Sequence, residues 1–103
     1  MNNLERLQME TKGIDVPDDE LIVYLMENNL THNDEYDPTS NTNKKAILQT
    51  ALAVLESIAN NPTTMKNYRT DDIAITHFAT NIQQRIDYLT RKIRLMPSDE
   101  DYS

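Results

Sequence analysis

Two histidines, His32 and His77, and two pairs of adjacent carboxylates, Asp18-Asp19 and Asp71-Asp72, are the residues of this chain best suited to reaction chemistry. His32 stands beside Asp34 and Glu35, a donor set that would hold a divalent cation if further ligands came from elsewhere. Neither histidine belongs to an HxxxH or ExxH pair, the spacing that puts two ligands on one helix face. His32 is therefore expected to be a solvated loop residue, and His77 a surface residue in the first turn of a helix. General acid–base work requires two groups in different environments, one of them raised in pKa by burial. Adjacent aspartates at a helix start or in a turn are normally both exposed and both ionised. The chain has four serines and no cysteine, and with the two histidines far apart no nucleophile–base set is assembled. The expectation is a protein that is not an enzyme, with no catalytic, cofactor-binding or metal-ligating residue and no cofactor.

Cations near the end of the chain raise a different chemistry. Arg85, Arg91, Lys92 and Arg94 complement the negative C-terminal end of a final helix, worth a few tenths to about 1 kcal/mol each. Arg91 and Arg94 also share a face opposite the apolar seam, where they are placed to accept carboxylates from an adjacent molecule. No aromatic residues interleave with them to stack bases. A net charge of −7 argues in the same direction, because broad nucleic-acid binding needs cations that displace phosphate counterions.

Charge is unevenly spread. Residues 1–37 hold ten acids against only Arg6 and Lys12, residues 38–95 hold eight bases against four acids, and the run Ser98-Asp99-Glu100-Asp101 is acidic again. Such a split reads either as solvated helix faces or as two halves that pair with those of neighbouring copies. Leu, Ile, Val and Phe number 23 of 103 residues, just above the roughly 20% level below which disorder is expected. A core forms, but a thin one, and burial against a partner would supplement it. The single glycine excludes phosphate-cradling loops, which need several positions without a Cβ. No disulfide framework or thiolate site is possible without cysteine. No apolar run approaches the roughly 20 residues that span a bilayer, and the opening MNNLERLQME lacks a signal-peptide core.

The elements that must position these groups are helical. Asn3 is the expected N-cap of a first helix carrying Leu4 and Leu7, stopped at Lys12-Gly13. Pro17 and the acids Asp18, Asp19 and Glu20 open a second, with Leu21, Ile22, Leu25 and Met26 at helical spacing up to Asn28-Asn29. Residues 31–43 contain no aliphatic side chain and read as a surface loop or mobile excursion. Ser40 or Thr42 caps the third helix, where Ile47, Leu48, Ala51, Leu52, Val54, Leu55 and Ile58 cover an arc wide enough for the centre of the fold. Asn60-Asn61-Pro62 stops it, one further turn is expected before Tyr68, and Ile73-Ala74-Ile75 alternates like a short extended segment. Thr76 is the expected cap of a long last helix whose seam is Phe78, Ile82, Ile86, Leu89, Ile93 and Met96. The fold class is all-α: a small bundle of four main helices, a short extended segment before the last, and a C-terminal arm.

In order and length these elements, and above all the run Lys44-Lys45-Ala46-Ile47-Leu48-Gln49-Thr50-Ala51-Leu52-Ala53-Val54-Leu55-Glu56-Ser57-Ile58-Ala59-Asn60-Asn61-Pro62 followed by Tyr68, Thr70-Asp71-Asp72-Ile73 and Ile75-Thr76, resemble the head–tail connector (adaptor) proteins of tailed bacteriophages and related prophages. The resemblance runs from about Leu4 to Met96. It implies a helical connector domain over 1–96 and an arm over 97–103. Such a protomer assembles with itself into a ring, usually of about twelve copies, beneath the portal protein. The ring extends the channel through which DNA passes without sequence-specific binding, and it docks the next neck or tail-completion protein. On this resemblance Pro97, Ser98, Asp99, Glu100, Asp101, Tyr102 and Ser103 form the portal-binding arm. The 31–43 loop with Asp34 and Glu35, and the Arg69–Ile75 segment with Asp71 and Asp72, are subunit or channel contacts beside Arg91 and Arg94. The tail departs from the family pattern in being short and acidic. The implied location is the virion neck, after synthesis in the host bacterial cytoplasm, with no membrane involvement. The rival reading of the same charges is a small acidic helical regulator that binds a basic protein partner by mimicking phosphate.

Overall fold

The computed structural model describes residues 1–70 and 73–97. Four helices follow one another: α1 (Asn3–Glu10), α2 (Asp18–Glu27), α3 (Asn41–Ala59) and α4 (Ile75–Leu95), with a 3₁₀ turn at Met65–Tyr68. The all-α bundle expected from periodicity is the architecture observed. Among the described residues the only β pairing is two isolated bridges, Asn2 with Glu35 and Ile14 with Arg69.

The cap of α1 lies one residue earlier than expected. The Asn2 side chain accepts from the Glu5 backbone N–H at 2.8 Å, while the Glu5 carboxylate accepts from the Asn2 N–H at 2.9 Å. Glu5 stands three residues beyond Asn2, so only Asn2 can complete this reciprocal capping box. Asn3 is instead buried, its amide donating to the Thr31 carbonyl at 2.9 Å and its oxygen accepting from Asn43 Nδ2 at 3.2 Å. Gly13 then turns the chain with φ +81°, a conformation glycine adopts without steric penalty. Pro17 precedes α2 in extended backbone, and three acids occupy the first turn.

Ser40 caps α3, accepting from the Asn43 N–H at 3.1 Å, so the helix begins three residues before Lys44. Ile47, Ala51, Val54, Leu55 and Ile58 are almost fully buried along it. Each such side chain contributes about 1.5–3 kcal/mol of hydrophobic stabilisation if its size is that of valine or larger. Thr50 is fully buried among them and hands its hydroxyl proton to the Ala46 carbonyl at 2.7 Å, which removes the penalty of an unmet polar group.

The N-terminus of α4 also differs from expectation. Ala74 is the N-cap residue, in extended backbone and without a side-chain cap. Thr76 lies inside the first turn, where its carbonyl accepts from the Thr80 hydroxyl at 3.0 Å. The helix starts early because the Ala74 carbonyl already accepts from the N–H of buried Phe78 at 2.9 Å, so packing holds this end in place of a cap. The extended segment before α4 is thereby reduced, with Ile75 helical.

The helices are layered around α3, which packs against all the others, while the backbone of α4 approaches neither α1 nor α2. A cleft shared by Glu20, Tyr24, Val54, Ser57 and Ile58 marks the edge of α3 that faces α2. The molecule is elongated, 46 × 27 × 19 Å. The acidic α1–α2 pair and the basic α4 each pack on the central helix without their backbones meeting.

Candidate functional site

The loop before α3 is anchored rather than a mobile excursion. The first N–H groups of any helix have no partner within it. Here the Asn3 N–H donates to the Asp34 carbonyl and the Leu4 N–H to the His32 carbonyl, both at 3.0 Å, and the Tyr36 N–H donates to the Met1 carbonyl at 2.9 Å. The loop therefore caps α1 with its own backbone. Tyr36, which the absence of aliphatic residues left without notice, is buried and belongs to the core. Its ring lies 5.5 Å from the Arg6 guanidinium, within cation–π range. Arg6 Nη2 pairs with Glu10 at 2.9 Å, while Nη1 is buried with no hydrogen-bond partner. Burial works against the Arg6 charge, but the hydrogen bonds and attraction of Glu10 and Tyr36 outweigh it and raise the pKa.

Asp34 and Glu35 are exposed on this tethered loop. Glu35 pairs with the Met1 amino group at 3.2 Å. Asp37 begins a tight turn, its carboxylate accepting from the Thr39 hydroxyl at 2.6 Å and the Thr39 N–H at 2.9 Å. Those bonds hold the Asp37 carboxyl below its ordinary pKa. His32 is half-buried and His77 exposed. No group of three or more His, Asp or Glu side chains among the described residues is arranged to hold a metal ion, and no helix there is long and apolar enough to cross a membrane. Asp71, Asp72 and Ser98 to Ser103 lie outside the described residues, and Pro97 is exposed just beyond α4.

Two helix faces stand out once burial is known. On α4, Arg91 and Arg94 are both exposed. Tyr88 and Leu95 lie beside them at helical spacing, 52% and 81% exposed. Neither arginine has an intramolecular ion-pair partner among the described residues, where the two ion pairs are Met1–Glu35 and Arg6–Glu10. Lys92 reaches back to the Tyr88 hydroxyl at 3.3 Å, and Asp87 is held by Gln83 at 3.1 Å. Arg91 and Arg94 are thus exposed cations flanked by Tyr88 and Leu95, with Asp87 and Thr90 beside Arg91.

The second face is on α2, and sequence reasoning missed its direction. Leu21 and Leu25 are buried, but Val23 and Met26 are 53% and 65% exposed. Met26, expected to share the buried stripe, points outward because α1 and α3 both cover the Leu21–Leu25 side. Beside Val23 runs an open groove of about 480 Å³, lined also by Asp19, Glu20, Tyr24 and Glu27. All five lining residues belong to α2, so this is a shallow depression on one helix face that combines Val23 and Tyr24 with three carboxylates. The alternation of Val23 and Met26 with Asp19 and Glu27 at helical spacing was the available signal. Comparison of the whole chain with family models, curated proteins and solved structures finds no match.

Proposed function

We propose that this protein is a non-enzymatic structural subunit, a head–tail connector that assembles with itself into a ring, of about twelve copies, beneath a bacteriophage portal. The observation that carries the reading is the outward face of α4, where Arg91 and Arg94 sit exposed beside Tyr88 and Leu95 with no ion-pair partner among the described residues. Small domains gain from burial against like copies, and this one combines a thin core with an acidic α2 face and a basic α4 face that do not meet through their backbones. The sequence resemblance supplies the assembly: portal above, neck or tail-completion protein below, DNA passing through without sequence-specific contact. In this reading Pro97 to Ser103 reach the portal, the segments around Asp34, Glu35, Asp71 and Asp72 meet neighbours or line the channel, and the mature location is the virion neck.

The test is whether the chain is a component of purified phage particles, and in what ratio to portal. The reading expects a fixed stoichiometry with portal and tail-less heads when the gene is disrupted. Particles that lack the chain, or heads that join tails without it, refute it. The acidic groove of α2 favours a second reading, a charge mimic that binds a basic partner. That reading expects salt-sensitive capture of such a partner outside virions.

A further inference from the structure

We propose that the outer face of α4 docks into the α2 groove of a second copy, so that every contact in the assembly is head-to-tail. The inference rests on the reading of the chain as a self-assembling subunit and specifies which surfaces meet. Three observations carry it. The first is chemical fit. Arginine presents a long aliphatic stem and a planar guanidinium that suits carboxylates. The α2 groove offers Val23 and Tyr24 for the stem, with Asp19, Glu20 and Glu27 for the charge. Tyr88 and Leu95, exposed on α4, meet Val23 and Met26, exposed on α2.

The second observation is geometric. The backbone of α4 approaches neither α1 nor α2, while both sides pack on α3. The two faces therefore do not meet within one molecule, and a second copy can bring them together. The third is symmetry. The two faces differ in sign, with Arg91 and Arg94 on one and Asp19 and Glu27 on the other. A two-fold contact of α4 on α4 would set Arg91 and Arg94 against their copies with only Asp87 to offset them, and a contact of α2 on α2 would oppose carboxylates. Pairing unlike faces is the arrangement that avoids both, and such a heterologous contact closes into a ring or runs on as a filament.

Two double variants test the polarity. Arg91→Glu/Arg94→Glu ruins the α4 face and leaves the α2 face intact. Val23→Asp/Met26→Asp ruins the α2 face and leaves α4 intact. Each alone should associate roughly a hundredfold or more weakly than wild type, since like charges brought together cost several kcal/mol. Circular dichroism should show unchanged helicity, all four positions being exposed. Mixed in equal amounts, the variants possess one working pair of faces between them. They should sediment as a one-to-one heterodimer that grows no further. A mixture that stays monomeric, or variants that assemble as wild type does, overturns the proposed contact while leaving ring formation through other surfaces intact. A wild-type chain that remains monomeric at every concentration also overturns it, and the connector reading is then decided separately by the content of purified particles.

Discussion

Replacing Tyr36 by alanine tests whether the 31–40 segment is part of the folded core. The side chain is only 8% exposed, and truncating a buried aromatic typically costs about 3–5 kcal/mol. The ring also faces the Arg6 guanidinium at 5.5 Å, a contact worth about 0.5–1 kcal/mol at a partly exposed site. Against these, a surface segment can settle into the space, and water can reach the unpartnered Arg6 Nη1. The expected loss is therefore about 3 kcal/mol, at the lower end of the range. For a domain of this size 1 kcal/mol corresponds to roughly 4–8 °C, so Tm should fall by about 15 °C. Tyr36→Phe keeps the ring and should cost less than about 1 kcal/mol. Urea titration followed by circular dichroism gives both values. If Tyr36→Ala lies within about 1 kcal/mol of wild type, the loop is a passenger and its backbone capping of α1 contributes nothing to folding.

Three other outcomes are expected. Gly13→Ala should destabilise by about 1–2 kcal/mol, because the added Cβ has room, its nearest neighbour being Arg85 Nη2 at 3.8 Å, but alanine must adopt φ +81°; thermal denaturation measures this, and an unchanged Tm would contradict the turn. NMR titration should place the Asp37 pKa below the usual aspartate range, and Thr39→Ala should return it part of the way, since the Thr39 hydroxyl is lost while the backbone N–H bonds remain. Its folded pKa being the lower one, any stabilisation is complete above the ordinary aspartate pKa and fades as pH falls through the depressed value. Tyr68 should ionise above the normal tyrosine range, through burial and the Glu20 carboxylate that its hydroxyl meets at 3.3 Å. Its contribution is present below that range and lost as pH rises through the raised value. Ultraviolet titration of Glu20→Gln against wild type, with Tyr68→Phe to assign the step, checks the cause.

Long-range order in this protein came from few side chains, and they divide into two kinds. The central helix was legible because its apolar residues recur over about three turns: Ile47, Ala51, Val54, Leu55 and Ile58 were chosen as core by period alone and are buried. The same holds for Phe78, Ile82 and Leu89 of α4, and for the stop at Asn60-Asn61-Pro62. Arg91 and Arg94 were legible as an outward pair for the mirror reason, lying opposite a clear seam.

Short segments were not legible in this way. Helix α2 has apolar residues at Leu21, Ile22, Leu25 and Met26, a spread wider than any single neighbour covers. Its packing between α1 and α3 decides that Leu25 is buried and Met26 exposed. Asn2 and Asn3 are both good caps by type. The carboxylate of Glu5 selects the first, and the loop carbonyl of Thr31 and the amide of Asn43 draw the second inward. Tyr36 carries no periodic signal because its partners, Arg6 on α1 and the Met1 carbonyl, lie some thirty residues away in sequence.

Sequence by itself thus determined the helical class, the central element and the basic face, since repeated side-chain spacing along a helix is a local property that any long amphipathic segment displays. Only the tertiary structure decided that acidic α2 and basic α4 pack on α3 without their backbones meeting, and that a polar loop supplies carbonyl acceptors to the start of α1. Those outcomes depend on which surfaces exclude water from one another, and that is settled between segments distant in the chain.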